Sequence, residues 1–292
     1  MSTSLLRLSG NLRGALWLAL AMLVLTIETL LLRLADTAVP ISTYMVMRSG
    51  AQLALGLTLS LSLGEGLRGM RTGRGWAQLV RGGASLISWQ LYYYSFRTLE
   101  FAVATTLNFT TSLFVALLAG PVLGERVGGW RWLATFVGFG GVLLVVRPGG
   151  GGDTLGIAAG LASAMLGTVI VFSSRSLGLT DRVETTMFWV GVITFLGSLP
   201  MGVGAWSLPA PGDAAILMLA AASGAAALWF ILLAFRAGEA SALAPIHYLR
   251  LLFAAAAGWL VFGEIPDPWT AAGCLTIVAG GLLLARAEAR RA

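Results

Sequence analysis

Apolar segments recur along the chain at about 12–33, 40–63, 76–96, 102–123, 130–147, 154–174, 185–206, 213–235, 240–262 and 269–285. Segments of this length, ~17–25 residues, span a bilayer as helices, so the pattern predicts ten transmembrane helices. Polar and helix-breaking residues punctuate them: Asp36 to Pro40, Gly64 to Gly75, Gly124 to Gly129, Pro148 to Asp153, Pro209 to Gly212 and Ile265 to Pro268. The first segment follows Arg7 and Arg13, as a signal peptide would. It is longer than an ordinary signal core of about 7–15 residues and has no convincing small-x-small cleavage site, so it reads as the first membrane helix.

Composition agrees with the pattern. The 292 residues are 57% hydrophobic and 11% charged, against roughly 25% charged in soluble domains. Spans and short loops use up the chain and leave no room for a separate soluble domain. All nineteen basic residues are arginine. They stand singly between apolar runs, which suits loop anchoring and not a nucleic-acid face. With the N-terminus placed in the cytoplasm, only Arg33, Arg97 and Arg147 fall outside, and Arg48 and Arg250 fall within spans. The remaining arginines, Arg81 and Arg131 among them, fall on the cytoplasmic side. The expectation is a multi-pass protein of a bacterial-type inner (plasma) membrane with both termini cytoplasmic. One cysteine, Cys274, excludes an internal disulfide framework.

An internal repeat carries the argument from location to function. Phe96, Arg97, Glu100, Leu113, Phe114, Gly124, Glu125 and Trp130 recur 139 residues later as Phe235, Arg236, Glu239, Leu252, Phe253, Gly263, Glu264 and Trp269. Gly14 and Arg33 recur as Gly156 and Arg175 at a spacing of 142. Apolar matches alone arise by chance, but charged and aromatic matches at one offset do not. The halves are therefore 1–147 and 154–292, joined by the Gly-rich 148–153 connection. Five spans per half is an odd number, so the second half enters the membrane from the opposite side. The predicted fold class is an all-α membrane protein of ten transmembrane helices in two inverted five-helix repeats, a plan used by transporters with the solute site near the midplane.

These residues resemble the drug/metabolite transporter superfamily, in particular its EamA-type ten-helix members. The resemblance rests on Arg97-Thr98-Leu99-Glu100-Phe101-Ala102-Val103-Ala104 and Gly124-Glu125-Arg126. Their counterparts are Arg236-Ala237-Gly238-Glu239-Ala240-Ser241-Ala242 and Gly263-Glu264, and Arg33 and Arg48 match basic residues of the first two spans. It implies a secondary carrier of small organic metabolites, such as amino acids, their derivatives, vitamins or nucleoside-like compounds, with export commoner than uptake. Where many such proteins carry a smaller polar residue in the first span, this chain has Glu28, and its repeat position holds Ile170.

The candidate solute-binding residues are Glu28, Arg48, Trp89, Tyr93, Asn108, His247 and Arg250. Ionisable groups inside a membrane are rare unless paired or functional. Glu28 is thus the candidate coupling residue for protons, or else a structural partner of Arg33 or Arg48. Arg48 and Arg250 need an anion, carbonyls or water. His247 follows Pro245, whose missing N–H breaks a helix and frees carbonyls toward a cavity, and its repeat equivalent is Asn108. In the run Trp89-Gln90-Leu91-Tyr92-Tyr93-Tyr94, consecutive tyrosines cannot share a face; Trp89 and Tyr93, four apart, form the candidate aromatic wall. Glu125 and Glu264 read as helix-end structural residues. No zinc, thiol-redox or Walker motif occurs, so no metal or cofactor is expected. The implied partners are a small organic solute, membrane lipid and protons, with monomer and homodimer both open. A channel-like pore is the rival reading. An intramembrane serine protease built on Ser223-Gly224 and His247 is a weaker one, since it leaves the repeat unexplained.

Overall fold

Within residues 10–35, 41–64, 66–99, 101–124, 128–146, 153–202, 209–263 and 268–289, which the computed structural model describes, the secondary structure is helical. Arg7, Glu100, Glu125, Arg126, Arg147, Glu264, Arg290, Arg291 and residues 148–152 lie outside that description, as do the side chains of Arg33, Arg68, Tyr93, Arg97 and Arg286. The elements are α1 (Gly10–Leu34), α2 (Ile41–Ser62), a 3-10 segment (Gly66–Met70), α3 (Gly75–Thr98), α4 (Phe101–Leu123), α5 (Gly129–Val146), α6 (Thr154–Gly178), α7 (Val183–Gly202) and α8 (Pro211–Ala237). The ninth span comes in pieces: a single turn α9 (Ala240–Leu243), a 3-10 segment (Ala244–Tyr248) and α10 (Leu249–Phe262). The last helix is α11 (Pro268–Ala289).

Local chemistry sets several helix ends. The Asp153 carboxylate accepts from the Leu155 and Gly156 amides at the start of α6, using donors that a helix N-terminus leaves without partners. Pro211 opens α8, where its missing N–H costs nothing. Gly263 ends α10 with φ 67°, a left-handed conformation that L side chains resist.

The bundle is apolar outside and holds polar and ionisable groups inside, among apolar core clusters. Leu16, Leu23, Ile27, Leu260 and Leu275 are exposed, whereas Glu28, Gln52, Gln78, Arg81 and Arg131 are buried. That inversion of the soluble pattern suits a protein solvated by lipid, with polar groups turned to the interior. Gly10–Leu32, Thr154–Gly178, Val183–Pro200, Pro211–Ala237 and Ala240–Val261 each have the length and mean hydropathy (1.2–2.3) of a membrane span. The structure corrects one point about Arg81 and Arg131, expected outside the spans on the cytoplasmic side: both lie within helices. Each is only 3% exposed, inside α3 and α5. Their positions near helix starts gave them the sequence pattern of anchors, but both side chains turn into the bundle.

The inverted repeat is visible in how the helices pair. α1 packs on α8 and its counterpart α6 on α3; α2 packs on α7, and α5 on α11. Exchanging the halves maps this set of pairs onto itself. Direction follows from two close approaches. A Cβ at Gly56 of α2 would stand 2.9 Å from the Phe188 nitrogen of α7, and one at Gly191 would stand 2.7 Å from the Leu53 nitrogen. Moving forward along α2 therefore means moving backward along α7. Equivalent helices of the two halves run antiparallel, which is what an inverted repeat requires.

Candidate functional site

A cavity of about 240 Å³ lies between the halves, lined by residues of α1, α2, α3, α4, α6, α7, α8 and the broken ninth span. Arg48, Trp89, Asn108, His247 and Arg250 all line it. Glu28 stands behind them, buried and bonded to Arg48, and the side chain of Tyr93 is outside the described residues.

The Glu28 carboxylate gathers residues from α1 and α2. Arg48 Nε donates to Glu28 Oε1 at 2.6 Å, and the Tyr44 hydroxyl donates to the same oxygen. The Arg48 guanidinium carbon lies 4.8 Å from the centroid of the Trp89 ring, within cation–π range. Trp89 meets Tyr92 edge-on at 6.3 Å. One side of the cavity is thus a chain of groups, Tyr44–Glu28–Arg48–Trp89–Tyr92, each holding the next. From the other half, α8 closes over this chain at Gly224. A Cβ there would stand 2.5 Å from Glu28 Oε1 and 2.8 Å from Arg48 Nε. The neighbouring Ser223 is half-buried and donates to the Leu219 carbonyl.

The opposite side is built on the break at Pro245. The Ala244 carbonyl, in the 3-10 segment, accepts from Ser112 of α4 at 3.0 Å. This is the re-satisfaction of freed backbone that a broken membrane helix needs. His247 Nδ1 lies 3.3 Å from the same carbonyl, and its ring stacks on Phe235 at 6.1 Å. Tyr248 is fully buried against the cavity-lining Phe109, which anchors the break. Arg250 reaches across to α1 and donates to Thr29 Oγ1 at 2.9 Å.

Several lining residues escaped the sequence reading. Arg81 is the foremost. Its Nε donates to Ser174 of α6 at 2.7 Å, and its Nη1 to Ser85. It lies within the 76–96 apolar segment, and that position was the available signal. Tyr92 also lines the cavity, whereas Tyr94 is exposed. Gln52, Thr111 and Ser163 are small polar residues in apolar runs, which sequence alone does not separate from packing residues.

At the face where α1 begins, polar contacts tie the halves together. Asp181 accepts from Thr72 at 2.6 Å and from Gln78 at 2.8 Å. Arg74 donates to Ser176, and Trp189 Nε1 to the Met70 carbonyl at 2.9 Å. Arg131 pairs with Glu239 at 2.5 Å and donates to Ser241, while Asn11 accepts the Glu239 amide.

With ten helical spans, inverted halves and a central cavity in place, comparison with known proteins becomes decisive. The EamA-like transporter family matches residues 12–147 and 154–286. The chain belongs to that family. It is accordingly a membrane transporter and not an enzyme. A riboflavin transporter of Rhizobium johnstonii is 30% identical over 282 residues, covering 95% of this chain and 92% of the relative. An S-adenosylmethionine uptake transporter of Rickettsia prowazekii is 26% identical over 76% of both chains. A solved crystal structure superposes with a TM-score of 0.82 at 18% identity, covering 93% of this chain and 96% of the other. That likeness carries the fold alone.

Proposed function

We propose that this EamA-family transporter is a secondary carrier that moves a small organic solute across a bacterial-type inner membrane by alternating access, with both termini cytoplasmic. The observation that carries the proposal is the cavity itself: it lies where two inverted halves meet and takes polar and aromatic groups from both. The relatives named for riboflavin and S-adenosylmethionine support a solute with a planar or polar organic framework. The contacts around Asp181 and Arg131 form a closed face, and such a latch supports a gated carrier over an open pore. Arg48, Trp89, Tyr93, Asn108, His247 and Arg250 are proposed as solute-binding residues.

Glu28 is proposed as the coupling residue. Its carboxylate neutralises Arg48, so protonating it would release the guanidinium toward the cavity and exchange a proton for a solute contact. The riboflavin and S-adenosylmethionine relatives also set the test. Purified protein in proteoliposomes is supplied with each solute, in both directions, with and without an imposed pH gradient. Saturable flux that the gradient accelerates is the expected result. Flux linear in concentration and indifferent to the gradient would favour a pore and remove the coupling role of Glu28.

A further inference from the structure

An arginine is costly to bury without a counter-charge, and in a membrane it is retained where an anion, water or carbonyls meet it. Among the described residues three arginines line the cavity. Arg48 is neutralised by Glu28. Arg81 and Arg250 have no carboxylate partner among the described residues; their partners are the neutral hydroxyls of Ser174 and Ser85, and of Thr29. Arg81 is the more demanding of the two, since it is 3% exposed. A guanidinium has five N–H donors, and the two hydroxyls engage two of them. The other cavity-lining polar groups, including Ser49, Gln52, Ser88 and Thr194, are uncharged. Among the described residues the cavity lining is therefore net positive, with a low-dielectric wall of Met22, Leu25, Leu228 and Ile231 that focuses the field.

We infer that the transported solute bears an acidic group, a carboxylate or a phosphate, which docks at Arg81 between α3 and α6. The site spans the two halves, because Arg81 belongs to the first and Ser174 to the second. Trp89 lies eight residues further along α3, roughly 12 Å at 1.5 Å per residue, so a solute can reach the guanidinium with its acidic end and lie along the Trp89–Tyr92 wall with its body. The inference rests on the carrier reading above and narrows its substrate class to organic solutes with a carboxylate or phosphate, a group that S-adenosylmethionine has and riboflavin lacks.

The test uses compounds of similar aromatic framework and different charge on the full-length purified protein: 3-phenylpropionate, phenyl phosphate, phenylalanine and phenethylamine. A ligand that binds the folded state raises Tm by linkage. The expected result is a Tm rise of several degrees with 3-phenylpropionate or phenyl phosphate, less with zwitterionic phenylalanine and none with phenethylamine. Arg81→Lys keeps this order and Arg81→Gln abolishes it. Should Arg81→Gln not fold, the charge order in the wild-type protein still decides. A shift from phenethylamine equal to that from the anions, no shift from either anion, or anion selectivity that survives Arg81→Gln overturns the inference. Riboflavin and S-adenosylmethionine flux in proteoliposomes separates the two levels. Flux without anion selectivity removes the acidic-group docking alone, whereas anion-selective binding with no flux of any of these compounds removes the carrier reading.

Discussion

At the residue scale, the Glu28–Arg48 pair shows how one buried charge recruits its surroundings. Its oxygen takes donors from Tyr44 and Arg48, and Gly224 leaves the space in which the pair sits. Adding a methyl group there by Gly224→Ala forces an overlap with both partners. Overpacking of this kind costs about 2 kcal/mol, to be read as a lowered Tm of the purified protein. Glu28→Gln acts differently, keeping the shape and removing the charge. Arg48 then loses its counter-ion, and removing one member of a buried pair costs about 3 kcal/mol. The same variant is expected to flatten the dependence of flux on an imposed pH gradient. Unchanged rate and unchanged gradient response would leave Glu28 a purely structural role.

At the scale of elements, the ninth span and the closed face make different demands. Pro245 divides the span into α9, a 3-10 segment and α10, and Ser112 compensates by bonding the Ala244 carbonyl. Ser112→Ala should destabilise by about 1 kcal/mol and lower solute affinity through the displaced His247 and Arg250. The latch is centred on Asp181, which holds Thr72 and Gln78 of the other half. Asp181→Ala is expected to shift the population toward the state open at that face. With Cys274 replaced, a cysteine placed at Thr111 in the cavity should then react several-fold faster with an impermeant maleimide from that side; an unchanged labelling rate would show that the latch does not hold the face shut. These two elements also mark what the sequence made legible. The ten spans and the break at Pro245 were readable because hydropathy and a missing N–H act locally. Arg81 and Asp181 were not. Each acquires its role from a partner about a hundred residues away, and a lone arginine near a helix start has the same pattern whether it anchors a loop or turns into a cavity. The glycine at 224 was legible only as a small residue in an alanine-rich helix, because what it accommodates belongs to α1 and α2.

For the molecule as a whole, the pairing of helices decides how the chain holds together. The main contacts, α1 with α8, α2 with α7, α3 with α6 and α5 with α11, each join one half to the other. Neither half is therefore a self-sufficient bundle, although each is a complete structural repeat. In lipid there is little hydrophobic drive between helices, so association rests on close packing and interhelical hydrogen bonds. Both lie chiefly between the halves here, at Gly56 and Gly191, at Ser88 with Ser163, and at Arg131 with Glu239. Expressed alone, residues 1–147 or 154–292 would expose those polar groups to lipid and be degraded. Co-expressed as two chains, they should assemble, co-purify and recover solute-dependent stabilisation, because the contacts between the helices of the two halves are kept. Recovery of a stable, monodisperse single half would contradict this account, since it would mean that the contacts within a half are sufficient and that the cavity between the halves is not what the fold is built around.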